Sequence, residues 1–243
     1  MRHLLTLLLC VLLAWPAAAA CTGTLYLTID TGTMVPAERI ATALRKRHIQ
    51  ATFFVANEPT ANGKTALDPV YADFWRALVA DGHAFGSHTW RHWYLRGDVG
   101  GTKVRYVKWG GGEQALLDRD AFCHELTNVD AAFAALTGQH LAPLWRAPGG
   151  HTTPLALTWA PGCGFARHVG WSAAGFLGDE LPSDKYPNRM LLTRALARLR
   201  DGDIMMMHLG IHDRVDPFVD VFEPLLDGLI AKGFCFRTLA AAG

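Results

Sequence analysis

The sequence predicts an α/β fold, a distorted or incomplete (β/α) barrel of about seven parallel strands, with an open doubly wound sheet as the alternative. Two observations predict it. Short apolar and β-branched runs alternate with segments of helical periodicity, and polar residues suited to catalysis follow several of those runs. Half of the residues are hydrophobic, which is enough to fill a closed core.

The predicted strands and helices alternate along the chain. The strands are residues 24–29, 51–55, 84–87, 144–146, 165–171, 204–208 and 234–239. The helices are one that begins at Pro36 and four more at residues 73–80, 120–136, 189–199 and 217–231. In the first helix, Ile40 and Leu44 fall four residues apart on one face, and proline suits its first turn. The glycine-rich residues 93–118 are predicted to form a long irregular loop over one rim.

The first twenty residues have the pattern of a removable signal peptide. Arg2 and His3 precede an apolar run at residues 4–13, and small residues end the segment. This run is too short to span a bilayer, and no later stretch is long and apolar enough to do so. The pattern therefore predicts a secreted or periplasmic protein whose mature part, residues 21–243, is a single domain. A lipid anchor at Cys21 is the alternative.

The charge balance gives no indication of a nucleic-acid partner. The formal net charge is +1, and no basic run is longer than the three residues at 45–47. Nucleic-acid-binding proteins usually carry a clustered basic patch. We therefore expect no nucleic-acid partner.

Four of the five cysteines follow residue 20, and an even number favours disulfides in an exported protein. Cys21 precedes the first strand and Cys235 begins the last, so closure of a barrel predicts a Cys21–Cys235 bridge. Cys163, in the turn before the fifth strand, is the rival partner. Cys123 lies one turn into a helix expected to start at the opposite rim, so Cys123 and Cys163 are predicted to be unpaired.

Four polar residues stand where predicted strands end. Asp30 follows the first strand, His88 the third and Arg146 the fourth, and His208 closes the sixth. In a parallel barrel these strand ends share one rim, which is where active sites are built. Each residue alone has a structural explanation, but the four together predict a catalytic site.

His88 is followed four residues later by His92. On one helical turn, two imidazoles with this spacing point the same way and can share one cation. The spacing has low specificity alone, and its position directly after a strand strengthens the prediction of a metal site.

Five motifs occur in one order along the chain. They are Thr-Ile-Asp-Thr-Gly at 28–32, Ala-Thr-Phe-Phe-Val at 51–55, Ser-His-Thr-Trp-Arg-His at 87–92, Arg-Ala-Pro-Gly-Gly at 146–150 and Met-Met-His at 206–208. This order resembles the polysaccharide deacetylases of carbohydrate esterase family 4, which have the NodB-like fold. The resemblance covers nearly the whole mature chain. It implies a hydrolase that removes N-acetyl groups from an acetylated polysaccharide, such as peptidoglycan or another N-acetylglucosamine polymer.

The resemblance implies a role for each strand-end residue. Asp30 matches the general base, Arg146 the residue that orients this base, and His208 the general acid that protonates the leaving amine. A backbone N–H, that of Gly149, is expected to help hold the oxyanion.

The resemblance also implies one divalent metal ion, with Zn²⁺ expected, bound by His88 and His92. The family has a further aspartate as third ligand where this chain has Thr31, and a hydroxyl is a poor zinc ligand. Three alternatives follow: the metal binds weakly, Asp30 shifts onto the metal, or a residue from elsewhere completes the shell. The candidate replacements are His212, Asp213, Asp179 and Asp98. A silent relative that only binds glycan is an alternative function, and an O-acetyl polysaccharide esterase is another.

The family motif with an aspartate behind the catalytic histidine has no clean counterpart here. Trp171 occupies its place, and Asp179 is the nearest carboxylate. Aromatic residues near the rim are expected to offer a sugar-stacking surface, because flat rings suit the apolar faces of pyranoses. These residues are Trp90, Trp93, Tyr94, Trp109 and Trp171. The alternative, favoured for Trp171, is packing within the fold.

Overall fold

The computed structural model describes residues 21–241, and the predicted signal peptide lies outside the described residues. The strands are β1 Gly23–Asp30, β2 Thr52–Val55, β3 Ala84–Ser87, β4 Tyr94–Val99, β5 Lys103–Val107, β6 Gln114–Leu117, β7 Leu144–Trp145, β8 Arg167–His168, β9 Ile204–His208 and β10 Phe234–Phe236. The helices are α1 Ala37–Lys46, α2 Ala72–Ala80, α3 Arg119–Thr137, α4 Pro154–Trp159, α5 Asn188–Arg198 and α6 Phe222–Ala231. No helix within this described part is long and apolar enough to cross a membrane.

A seven-stranded parallel sheet with β1 at its centre forms the frame of the molecule. Its order is β10-β1-β2-β3-β7-β8, and β9 also pairs with β1. Between β8 and β9 the gap is spanned by a bridge from Phe176 to Met206, where the Met206 N–H donates to the Gly175 carbonyl at 2.9 Å. The sheet therefore curls into an incompletely closed barrel. The predicted distorted barrel of about seven parallel strands is confirmed.

The main core lies between this sheet and the helices that cover it. Leu27 and Ile29 of β1 are fully buried there together with Ile40 and Leu44 of α1. The four-residue spacing of the two α1 side chains thus marks the buried face of an amphipathic helix. Each such side chain stabilises the fold by roughly 1.5–3 kcal/mol when it is removed from water.

The segment predicted as an irregular loop, residues 93–118, is instead a three-stranded antiparallel sheet of β4, β5 and β6. Its glycines at 100–101 and 110–112 have positive φ and lie at the turns, where a side chain would be strained. Val104 and Tyr106 of β5 are buried, whereas Lys103 and Arg105 are exposed, which is the alternation of a half-buried strand. The prediction was wrong because the glycine content obscured this two-residue period.

Two disulfides fasten the described chain. The predicted Cys21–Cys235 bridge is confirmed, and it lies where β10 pairs with the start of β1. The prediction that Cys123 and Cys163 are unpaired is wrong, because they form the second bridge with Cα atoms 5.2 Å apart. The reason is α4, a helix that was not predicted. Together with the turn that follows it, α4 packs against α3 and brings Cys163 to Cys123, which lies one turn into α3.

Removing the Cys21–Cys235 bridge should cost more stability than removing Cys123–Cys163. The bridges join residues separated by 214 and 40 positions. For loops of these lengths the chain-entropy model gives about 5 kcal/mol and about 4 kcal/mol, respectively. Urea unfolding of the two double Cys→Ser variants measures the free energy of unfolding of each. Equal losses, or a larger loss for the second bridge, would contradict the expected order.

Candidate active site

Backbone pairing places the four strand-end residues around β1. The register of β1 with β9 sets Asp30 opposite His208. On the other side, the backbone N–H of His88 donates to β2 at 2.7 Å and that of Arg146 donates to β3 at 2.9 Å. Because all these strands are parallel, the four residues lie at one rim, as the sequence predicted.

The Arg146 side chain is fully buried and all of its nitrogens are paired. Nε donates to the Val169 carbonyl at 3.0 Å, Nη2 to the Gly170 carbonyl at 2.9 Å, and Nη1 to Asp30 Oδ1 at 2.7 Å. The guanidinium also faces the Phe54 ring, 4.2 Å from its centroid. These contacts hold the guanidinium in one position against the carboxylate.

Asp30 is 2% exposed and lies in a strongly charged environment. Burial raises the pKa of this carboxyl group, but the Arg146 guanidinium, helped by the charge of His208, outweighs burial and holds the pKa of Asp30 below its usual value. Asp30 is therefore ionised at neutral pH.

The Asp179 carboxylate holds both the backbone and the ring of His208. Asp179 Oδ2 accepts from the His208 backbone N–H at 2.7 Å and lies 3.2 Å from Nδ1, while His208 Nε2 is 3.7 Å from Glu180 Oε2. Burial lowers the pKa of His208, but the charges of Asp179, Asp30 and Glu180 outweigh it and raise that pKa to about 9. A cavity of about 300 Å³ opens beside His208.

His88 is buried in its neutral form. Its Nδ1 lies 2.9 Å from the Arg146 carbonyl, which can only accept, so Nδ1 carries the proton. Burial lowers the pKa of His88 to about 3. The lone pair of Nε2 then faces Asp30 Oδ2 at 3.5 Å. A neutral imidazole anchored through its other nitrogen to a carbonyl is the form in which histidine binds metals.

His92 lies between His88 and Glu58, a residue that the sequence prediction missed. Its ring centroid is 4.8 Å from that of His88, and its Nδ1 is 3.3 Å from Glu58 Oε2. Glu58 lies three residues beyond β2, one of three predicted strand ends to which no polar residue had been assigned. Its place just after a predicted strand was the signal in the sequence, and that signal does not give the direction of the side chain.

Asp30, His88, His92 and Glu58 form the donor row, a series in which each side chain contacts the next. Within residues 21–241, no three His, Cys, Asp or Glu side chains form a complete metal-ligand group. The contacts are pairwise, but two imidazoles and two carboxylates are the donors that Zn²⁺ binds in proteins. The donor row therefore fits a divalent ion chemically.

The predicted replacement ligands have other positions. Asp98 accepts a hydrogen bond from the backbone at the start of α4, at 3.1 Å. Asp179 contacts His208, and His212 lines the cavity beside it. Among the described residues, no ion pair joins any of these, or Asp213, to the two predicted metal ligands.

Two predicted substrate contacts lie near this rim. Gly149 has φ +65° in the turn after β7, and a Cβ there would come within 2.9 Å of the Tyr94 ring. Trp171 is half-buried, with Arg146 5.5 Å from its ring centroid, and it covers Gly150. Part of the Trp171 ring therefore packs within the fold, against Arg146 and Gly150. The contact of this ring with a sugar stays a prediction.

The turn that carries both histidines is strained and held by a buried network. Thr89 has φ +65°, which is unusual for a β-branched residue. Its hydroxyl lies 2.8 Å from the Tyr106 hydroxyl, which accepts from the Trp93 backbone N–H at 3.1 Å and donates to Glu125 at 3.0 Å. Glu125 also binds the backbone and side chain of Arg91. The β4–β6 sheet thus fixes the geometry of the turn.

Among known proteins, the family model described as polysaccharide deacetylase matches residues 18–167. A chitin deacetylase from a Pestalotiopsis species is 26% identical over 148 residues, which is 60% of this chain and 41% of that protein. The chain thus spans about two fifths of the length of this relative.

Solved structures share the fold. A family 4 carbohydrate esterase from Streptomyces lividans, solved with acetate, is 20% identical, has a TM-score of 0.65, and aligns over 90% of this chain and 94% of its own. BA3943 from Bacillus anthracis, described as a CE4 family pseudoenzyme, is 17% identical with a TM-score of 0.66 and aligns over 90% and 64%. At these identities the likeness concerns the fold alone.

Tyr106→Phe should lower the free energy of unfolding by about 1–3 kcal/mol, because it leaves buried partners on Thr89, Trp93 and Glu125 without a hydrogen bond. Chemical denaturation measures this loss. Tyr26→Phe, the same chemical change in β1, is the control and should cost less than about 0.5 kcal/mol. Equal small effects in both variants would mean that the network adds nothing.

Proposed function

Because the chain belongs to the polysaccharide deacetylase family, we propose that it is a metal-dependent hydrolase that removes N-acetyl groups from a polysaccharide such as peptidoglycan or another N-acetylglucosamine polymer. Residues 21–243 are the catalytic domain in this proposal, and the metal is one divalent ion, with Zn²⁺ expected. The observation that supports it most is the placement of an ionised Asp30 opposite His208 in the β1–β9 register.

In this proposal Asp30 and His208 divide the proton transfers between them. Asp30, ionised and held by Arg146, accepts a proton from the attacking water. An amine leaves poorly unless it is protonated, and His208 supplies that proton. Asp179 contacts His208 and favours its charged form, so His208 is still protonated at neutral pH.

His88 and His92 are the proposed metal-binding histidines. When bound, the ion supplies Lewis acidity, which polarises a carbonyl group and lowers the pKa of water. The backbone N–H of Gly149 is the proposed donor to the developing oxyanion. Trp171, beside Gly150 at the same rim, is the proposed sugar contact.

Two alternatives use the same site. A glycan-binding relative without turnover is favoured by Thr31, which replaces a family metal ligand with a hydroxyl. An O-acetyl polysaccharide esterase would need the same base and oxyanion donor. Retention of Asp30, Arg146 and His208 together at one rim favours catalysis, because binding alone has no need of that set.

The two disulfides support an oxidising compartment, and we place the protein in the secreted or periplasmic space. Residues 1–20 are its proposed signal peptide. Because the Cys21 sulfur is bonded to Cys235, it is not free to carry a lipid, which favours release over anchoring.

Asp30→Asn should lower the rate of acetate release from an N-acetylated chito-oligomer by roughly 10²–10⁴-fold, because the amide cannot accept the proton. Acetate release by the Zn²⁺-supplemented protein measures this. Asp227→Asn, an exposed carboxylate paired with Arg47 on the far helices, is the control and should leave the rate unchanged. Acetylated xylan tested in parallel separates O- from N-deacetylation. Oligomer binding without acetate release by the unsubstituted protein would favour the silent relative.

The alkaline limb of the pH profile of kcat/KM should lie near pH 9 and move to lower pH in Asp179→Asn. His208 has a raised pKa, so its acid form persists through neutral pH and is lost as the pH rises through about 9. Asp179, Glu180 and Asp30 are the charges that face it, and removal of the first lowers the pKa. NMR titration of the His208 ring follows the same pKa directly. An unchanged limb in Asp179→Asn would contradict the assignment of His208 as the acid.

A further inference from the structure

Thr31 is not available as a metal ligand in this fold. It is 1% exposed, and its Oγ1 accepts a hydrogen bond from the Ala56 backbone N–H at 3.1 Å. Its own backbone N–H donates to the Phe54 carbonyl at 3.1 Å. The hydroxyl therefore holds the beginning of the loop that follows β2. It is neutral and already takes part in a hydrogen bond.

That loop brings Glu58 to the turn that carries the histidines. The Asn57 backbone N–H donates to the carbonyl of Trp90, a residue between His88 and His92, at 3.1 Å. On the other side, the Glu58 carbonyl accepts from the Ala66 N–H at 3.0 Å. Glu58 is thus fixed at both neighbouring peptide groups, and the fixed loop presents its side chain to the donor row.

One oxygen of the buried Glu58 carboxylate lacks a partner among the described residues. The residue is 8% exposed, and Oε1 has no hydrogen-bond partner among the described residues. Buried charges in proteins are normally paired or bound to a metal, and an unpaired one is costly. Oε2 lies 3.3 Å from His92 Nδ1. Two ligand atoms of one tetrahedral zinc ion, each about 2.0 Å from it, are separated by about 3.3 Å.

From these contacts we infer that Glu58 is the third protein ligand of the divalent ion, with His88 and His92. Two histidines and one glutamate form a ligand set that catalytic zinc sites use, with one position left open. This assignment leaves Asp30 on Arg146, where it is held by a hydrogen bond of 2.7 Å and remains free to act as the base. The inference rests on the proposed function, because it specifies the metal site of that function.

Zinc titration of the chelator-stripped protein, followed by calorimetry, tests the inference without any substrate. Glu58→Gln keeps the shape of the side chain and removes its charge, and we expect at least tenfold weaker Zn²⁺ binding. Glu180→Gln is the matched control, because it removes a negative charge from the same rim at a residue that contacts His208. It should change the affinity by less than about twofold, since charge alone acts weakly through solvent.

Thr31→Asp provides a second measurement in two backgrounds. Alone it should change Zn²⁺ affinity little, because the third position is already filled. In the Glu58→Gln background it should restore most of the lost affinity, because a carboxylate returns to the site from the neighbouring strand. Restoration would also show that the Glu58→Gln protein is folded, so that weak binding in this variant reflects a missing ligand.

The possible outcomes separate this inference from the proposed function. If Glu58→Gln binds Zn²⁺ as tightly as the unsubstituted protein while His88→Ala does not bind it, the ligand assignment is overturned and the function stands. Equal weakening by Glu58→Gln and Glu180→Gln would also overturn it, since it would reveal a charge effect only. If the unsubstituted protein binds no Zn²⁺, Co²⁺ or Mn²⁺, the inference and the proposed function both fail.

Discussion

The buried ion pair between Arg146 and Asp30 is the constraint on which the rest of the site depends. Two charges removed from water carry a desolvation cost of several kcal/mol each, which only good geometry and complete hydrogen bonding offset. Arg146 meets that requirement through three acceptors, two of which are carbonyls just beyond β8. The pair therefore joins β1 to the side of the barrel that is least completely closed. Loss of either partner would leave an uncompensated charge in the core.

Arg146 also connects the ion pair to the histidines. While its side chain holds Asp30, the Arg146 carbonyl accepts from His88 Nδ1 and fixes which nitrogen of that ring carries a lone pair. From His88 the donor row runs through His92 to Glu58, across the ends of β3 and β2. The network beneath the β4–β6 sheet supports the turn from the other side. Orientation in this site thus comes from backbone and buried polar contacts, which are rigid.

The frame and the four strand-end residues were predictable from the sequence because both depend on local patterns. Apolar runs mark buried parallel strands, and a polar residue that ends such a run must lie at the rim. The β4–β6 sheet was missed because its short alternating strands lie among glycines that indicate a loop. The Cys123–Cys163 bridge was missed for a different reason: it depends on how α4 packs on α3, and tertiary packing has no periodic signature in the sequence.

Glu58 was missed because its role depends on a relation between neighbouring strands. A single glutamate three residues after a strand says nothing about the direction of its side chain. The direction is set by Thr31, whose hydroxyl holds the peptide of Ala56, and by the hydrogen bond between Asn57 and Trp90. In the proposed site, Thr31 stands after β1 where the family has a metal-binding carboxylate. The same threonine fixes the loop after β2, and that loop supplies the carboxylate of Glu58 instead. The departure at position 31 and the buried carboxylate at position 58 then have one common explanation.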